Sequence, residues 1–246
     1  RRPAPPAGFR SLPYPQVDAL ELSGVVYTSI FNPSDGRKNW IDMLNAFLVA
    51  LADRPDAMLV IKLIAKSPCV VRQVIDYYLQ RNLPHRCTVA FLCDYLSEAE
   101  MLRLCSGSTY YLQATRAEGN CLPLMNYLAA GRPGISPDHS SMGDYFRPDF
   151  GFVVDSHPEP SAWPHDRRLR LRPTWGRIVW PSLRDQIAAS YRVARTRPAE
   201  YAAMARDGRI ALQSWASYPS VARRLDAALR SVLGVSPAQQ SRRMAA

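Results

Sequence analysis

No stretch of the 246 residues approaches the run of about 20 apolar residues that a membrane-crossing helix needs. There is also no CxxC pair and no Cys/His spacing of the zinc-binding kind, so a structural zinc site is not expected. The five cysteines, Cys69, Cys87, Cys93, Cys105 and Cys121, are odd in number and form no disulfide framework. Cys87 and Cys93 lie within an apolar run, where a thiol packs as a small hydrophobe. A reducing, cytoplasmic compartment fits this usage best. Internal repeats are absent. DNA- or RNA-binding motifs and basic–aromatic interleaving are also absent, so nucleic acid is not the expected partner. The first residues are Arg1 and Arg2 rather than Met, and the chain is expected to be a piece of a longer protein.

Apolar residues make up 47% of the chain and charged residues 21%, which suffices for a sizeable core of a water-soluble domain. The formal net charge is +10, much of it local: Arg167, Arg168, Arg170 and Arg172 cluster, and Arg242 and Arg243 sit near the end. Such a balance suits phosphorylated metabolites or the head groups at the inner face of a membrane, where a peripheral contact stays open. An arginine-rich source genome would give the same composition.

Residues 1–22 are proline-rich and aperiodic and read as a linker or domain junction. Short apolar runs follow at Val25–Phe31, Ala57–Ile64, Cys87–Cys93 and Ser108–Ala114, with weaker ones at Pro133–Ser136 and Gly151–Asp155. Segments of helical period separate them: Trp40–Leu51, Val70–Gln80, Glu98–Cys105 and Leu122–Ala130. Continuous apolar strands alternating with helices predict an α/β fold, a Rossmann-like parallel sheet of about six strands with helices on both faces. Residues 157–180 show no clear strand or helix and read as an irregular strap. Helices are expected over Ser182–Thr196, Glu200–Ser214 and Ser220–Leu233, the last stopped by Gly234. Residues 235–246 read as a flexible tail, which makes 23–234 the domain.

Three turns carry residues suited to chemistry. The turn from Phe31 to Trp40 joins a buried strand to a helix at the carboxyl edge of the sheet, where ligands of open α/β sheets bind. Arg37 and Lys38 stand near that helix start, where two cations oppose the helix dipole unless something negative lies between them. A diphosphate would serve; a solvated basic turn is the plainer reading. The turn from Thr115 to Leu124 follows the fourth strand. Gly119 lets backbone approach a ligand, Pro123 suits a helix start, and Glu118 can accept hydrogen bonds from sugar hydroxyls or simply cap the helix. In the third turn a helix stops at Gly131 ahead of a short strand.

Together these segments resemble glycosyltransferase family 4, a group of retaining enzymes of the GT-B fold. The resemblance rests on the unbroken run Glu118, Gly119, Asn120, Cys121, Leu122, Pro123 through Ala129, Ala130, Gly131, Arg132 and Pro133, on the Arg37-Lys38-Asn39 turn, and on Trp215 to Tyr218 before the last helix. It covers about Val25 to Leu233, the strap matching poorly. It implies the C-terminal, donor-binding lobe of a two-lobed enzyme whose N-terminal acceptor lobe is missing here, and a fragment inactive without that lobe. The reaction implied is transfer of a hexose from a nucleotide-diphosphate sugar to a glycan or lipid-linked acceptor, in cell-surface polysaccharide or lipopolysaccharide synthesis. By resemblance, Arg37 and Lys38 stabilise the leaving diphosphate and Glu118 contacts the donor sugar. Asn32 and Gly36 in the first turn belong to the donor site. The amides of Gly119, Asn120, Cys121 and Leu122 hold sugar and phosphate, Asn126 meets the ribose, and the loop with Cys93, Tyr95 and Leu96 flanks the base. No metal or other cofactor is implied.

The sequence departs from the family at Asn126, where a second acidic residue is usual, and at Asn120 and Cys121, where an aromatic residue and a glycine are usual. Cys121 adds a side chain where backbone usually approaches the donor. These departures leave a second reading open: a degenerate, non-catalytic lobe that binds nucleotide sugar and supports a partner domain. His139 to Met142 is expected near the donor pocket or as a surface loop with a helix cap at Ser140 or Ser141. Trp163, Trp175 and Trp180 stack on sugars or anchor the strap to the core.

Overall fold

The computed structural model describes Tyr14 and residues 19–81, 83–163, 166–168 and 170–234. The expected tail, and all of the expected linker except Tyr14 and residues 19–22, lie outside the described residues.

Strand β1 (Val25–Phe31) is followed by α1 (Trp40–Ala50), β2 (Ala57–Leu63), α2 (Pro68–Arg81), β3 (Thr88–Leu92), α3 (Glu98–Gly107), β4 (Tyr110–Leu112), α4 (Leu122–Ala129), β5 (Gly134–Ser136) and β6 (Gly151–Val153). These six strands form one parallel sheet in the order β3-β2-β1-β4-β5-β6. All seven residues of β1 and of β2 are buried, as strands covered on both faces must be, and this is why their sequences run apolar without alternation. Entry into β1 requires Gly24, whose φ is +72° and whose added Cβ would fall 2.0 Å from the Asp56 carbonyl oxygen. Leu20 and Leu22, inside the expected linker, pack under the sheet beside Val26, Met58, Val60 and Leu104. Helix α3 starts with a capping box, Ser97 and Glu100 each satisfying the other's backbone N–H.

The strap corrects the expectation. Its two ends pair as an antiparallel ribbon, β7 (Ser156–Pro160) with β8 (Thr174–Ile178). Pro158 and Pro160 hide β7 from a reading of sequence, because a proline cannot donate to a ladder and is tolerated only where its missing N–H faces outward. Three helices close the fold: α5 (Trp180–Thr196), α6 (Pro198–Ala216) and α7 (Tyr218–Leu233), the last ended by Gly234 in the left-handed region. Among the described residues no helix is long and apolar enough to cross a membrane.

Helix α5 is tied to the middle of the sheet. The Tyr27 hydroxyl of β1 pairs with the Ser190 hydroxyl at 3.0 Å, and the Tyr110 hydroxyl of β4 donates to the Ser190 carbonyl at 2.9 Å. The two tyrosine rings stack at 5.4 Å, and Phe47 of α1 meets Tyr27 edge-on at 5.3 Å. The two central strands are thus clamped by one helix through one residue. Phe47→Ala is expected to cost about 3–5 kcal/mol through the cavity left between α1 and β1. Tyr27→Phe should cost no more than about 1.5 kcal/mol, because the Ser190 hydroxyl keeps its bond to the Ile187 carbonyl. Urea unfolding of the two variants checks the order.

Candidate functional site

Strands β1, β2 and β3 run outward in one direction from the middle of the sheet, and β4, β5 and β6 in the other. The chain order therefore reverses between β1 and β4, the position at the carboxyl edge where open α/β sheets bind their ligands. The turn after β1 carries Arg37 and Lys38; the turn after β4 carries Glu118. Backbone joins the two: the Arg116 N–H donates to the Arg37 carbonyl at 2.7 Å, and the Thr115 hydroxyl donates to the same oxygen at 3.2 Å.

Side chains complete the junction. Lys38 Nζ lies 2.5 Å from Glu118 Oε1, which also accepts from the Thr115 hydroxyl at 3.0 Å. Arg37 Nη1 donates to the Ala117 carbonyl at 2.7 Å and stands 3.9 Å from Glu118 Oε2. The rest of the Arg37 guanidinium is taken by Asp35, whose carboxylate accepts from Nε and, at 2.6 Å, from Nη2. The Glu118 side chain is 7% exposed against 20% for Lys38, so the carboxylate is the inner member of the pair. Glu118 does not cap α4, whose N-cap is Cys121. The two cations that the sequence leaves opposing a helix start are compensated by Asp35 and Glu118.

The remaining sequence-predicted residues fall in different places. The Asn32 side chain accepts from the Ser34 N–H at 3.0 Å, a local turn bond. At Gly36 and Gly119 an added Cβ would meet nothing within 4 Å, so the protein's own packing demands neither glycine. Cys121 adopts φ +51° and turns its side chain inward: it is buried, its Sγ is 2.9 Å from Gln113 Oε1, and burial pushes the thiol up to about 12. The side chain that Cys121 adds to this turn is thus directed into the protein. The Tyr145 hydroxyl holds that turn by donating to the Asn120 carbonyl at 2.9 Å. Leu122 and Asn126 are exposed on α4. Cys93 is half-buried behind β3, its thiol raised to about 11 by burial and the neighbouring Asp94, while Tyr95 is exposed and Leu96 packs on the sheet. The structure thus brings Arg37, Lys38 and Glu118 into one cluster, and sets the loop of Cys93, Tyr95 and Leu96 two strands away at the same edge.

Several residues of the cluster escaped the sequence reading. Asp35 orients Arg37, Thr115 orients Glu118, and Asn39 is buried in the left-handed region with its side-chain N–H₂ unpartnered. Arg116 reaches Asn39 Oδ1 at 3.5 Å and Glu159 of the ribbon at 4.0 Å. The ribbon is fastened here: the Gly176 N–H donates to the Arg116 carbonyl at 2.7 Å, and the His139 ring fills the space a side chain at 176 would need, 2.2 Å from an added Cβ. The turn over Ser140–Asp144 has no side-chain cap, and Ser140 takes φ +56°. Trp175 is buried and Trp180 packs on the main core, so both anchor the strap. The place of His139 just after β5 already set it at this sheet edge in the sequence. Its contact with residue 176 is tertiary. A cavity of about 450 Å³ beside β6, lined by Asp149, Asp155, Gln186 and Glu200 among others, includes none of the cluster.

Burial depresses the basicity of His139 below its ordinary 6.5, against the opposing pull of the Thr115 backbone, Asp138 and Glu118. The unfolded chain then binds more protons than the folded one once the pH drops below about 6.5, so stability falls with acidification and is untouched above that pH. Thermal midpoints at pH 7.5, 6.5 and 5.5 should fall more for the unaltered chain than for His139→Gln.

No family model matches the sequence, and no curated protein matches it. Solved structures do. A sucrose-phosphate synthase from Thermosynechococcus elongatus matches at 19% identity with a TM-score of 0.59, over 88% of this chain and 47% of that one. The C-terminal domain of a glycosyl transferase group 1 family protein from Francisella tularensis matches at 15% identity and TM-score 0.54, over 78% and 87%. Anabaena HepE in complex with UDP-glucose matches at 10% identity and TM-score 0.56, over 85% and 49%. This chain spans about half the length of the first and third of these, and the likeness is one of fold: a six-stranded parallel, Rossmann-like α/β sheet that matches one lobe of the GT-B fold.

Proposed function

We propose that this chain is the donor-binding half of a retaining glycosyltransferase of the family 4 kind. It would transfer a hexose from a nucleotide-diphosphate sugar to a glycan or lipid-linked acceptor held by a second lobe, in cell-surface polysaccharide or lipopolysaccharide synthesis. The observation that supports it most is the pairing of Lys38 with Glu118 across the point where the strand order reverses. That is the position where a parallel sheet offers a ligand both a crevice and the free amides of helix starts.

In this reading the pair is the resting form of the site. An entering diphosphate takes Lys38 from Glu118, since phosphate oxygens accept charge-assisted bonds as a carboxylate does. Glu118, held by Thr115, is then free to accept from sugar hydroxyls, and the outward amides of Gly119 and Asn120 face the same ligand. Arg37 stays on Asp35 and Ala117 and contributes field rather than a direct grip. As the bond from sugar to diphosphate breaks, the charge that develops on the departing oxygen is met by Lys38 and by helix-start amides already in place. Attack from the same face, helped by the leaving phosphate, would give retention. The charge on the diphosphate is answered by side chains and amides, so the reading requires no metal.

Arg167, Arg168, Arg170 and Arg172 are exposed on the connection between β7 and β8 and would supply a peripheral contact with anionic head groups. The second reading, a lobe that binds donor without turning it over, is favoured by exposed Asn126 in place of a carboxylate and by the commitment of Arg37 to Asp35.

Calorimetric titration with UDP, GDP and ADP tests the site. Lys38→Ala is expected to weaken the bound diphosphate about tenfold or more, the loss of one charge-assisted contact, and to leave binding of the matching nucleoside unchanged. Equal affinities with and without the Lys38 ammonium would remove the reading. Asn126→Glu separates the two forms of it: a gain in donor hydrolysis supports the enzyme, while binding without any gain supports the non-catalytic lobe.

A further inference from the structure

Strand β2 carries one charged residue among its apolar ones. Lys62 is 8% exposed, and its ammonium donates to the Leu63 carbonyl at 2.8 Å. No ion pair to Lys62 is formed among the described residues. Among the described residues, the other two of its three N–H donors have no protein acceptor. A buried ammonium without a counter-ion is costly, and burial lowers its basicity, with only Cys93 and Asp94 acting the other way. An apolar residue at this position would suit the packing of the strand better than lysine does.

The location of Lys62 suggests what the spare donors face. It is the next-to-last residue of β2, at the carboxyl edge of the sheet, in register with Ile30 of β1 and Leu92 of β3. Residues in register on parallel strands project to the same face. On that face Ile30 packs with Cys121 of the glutamate turn, and Leu92 packs with Leu96 of the loop after β3. Lys62 therefore stands midway between the turns proposed to hold the diphosphate and the loop proposed to flank the base. Adjacent strands are about 4.8 Å apart, so β3 lies about 10 Å across the sheet from β1, a span suited to a nucleoside laid along the edge.

We propose that Lys62 selects the donor's base at its pyrimidine C4 or purine C6 position, favouring the carbonyl oxygen that uracil (O4) and guanine (O6) present there over the amino group that cytosine (N4) and adenine (N6) present there. This rests on the nucleotide-sugar reading of the same edge. An ammonium can only donate, a ring carbonyl can only accept, and an exocyclic amino group is a second donor that leaves the ammonium unanswered in a dry site. Rejection of a ligand that leaves a buried polar group unpaired is the strongest discrimination a binding site achieves.

The test compares UDP with CDP and GDP with ADP, by calorimetry, on this chain and on Lys62→Met. Each pair shares its ring system, ribose and phosphates. UDP over CDP, or GDP over ADP, by tenfold or more is expected, and Lys62→Met should bring that ratio to within about twofold while diphosphate binding persists. Methionine keeps the length and apolar stem, so the variant should melt no lower than the parent chain. Equal binding within both pairs overturns the proposal in the unaltered chain alone, whether or not the variant folds. A preference that survives Lys62→Met, or one for CDP or ADP, overturns it too. If a folded chain binds none of the four diphosphates, the nucleotide-sugar reading itself fails and this inference falls with it.

Discussion

The Arg37 carbonyl oxygen is the point on which the site turns. It accepts from the Arg116 N–H and from the Thr115 hydroxyl, and so ties the turn after β1 to the turn after β4. Those turns lie far apart in sequence, and they meet only because β4 pairs with β1 rather than with β3. With the backbones joined, Lys38 and Glu118 have little choice but to face each other. The two cations of the turn after β1 are paired with Asp35 and Glu118.

The cluster is supported from below and from the side. Beneath it, Ser190 of α5 bonds Tyr27 and Tyr110, one from each of the two strands that carry the turns. At its flank the β7–β8 ribbon is attached through Gly176 to Arg116, against the ring of His139. Behind the glutamate turn, Tyr145 holds the Asn120 carbonyl and leans on Trp215 of α6 with ring centroids 5.0 Å apart. Trp215 in turn lies under the guanidinium of Arg224 in α7. The turn is thus positioned by elements from the whole second half of the chain, which is how a short exposed loop can be held accurately.

Much of the fold was legible in the residues. The unbroken apolar runs of β1 and β2 mark strands buried on two faces, and the helical periods between them leave a parallel sheet as the consistent arrangement. Caps and stops were readable where they are local, as at Gly234. The ribbon was not, since two prolines in β7 suppress the strand signal and its partner β8 lies beyond a connection of 13 residues, 161–173. In the site, Arg37, Lys38 and Glu118 stood out by residue type at turns leaving strands. Asp35 and Thr115 did not, because an acid beside an arginine and a threonine in a turn have ordinary local explanations.

From sequence alone came the class of fold, the position of each major element and the turns worth examining, because these depend on periods of two and 3.6 residues and on the chemistry of neighbours along the chain. Strand order belonged to the tertiary structure, and with it everything that depends on which turns are adjacent. Pairing β4 to β1 decides that Glu118 meets Lys38 and that Arg37 reaches the Ala117 carbonyl. The register of β2 between its neighbours decides that Lys62 is buried at the carboxyl edge of the sheet. Contacts between residues tens of positions apart follow from how surfaces pack, and no local pattern records them.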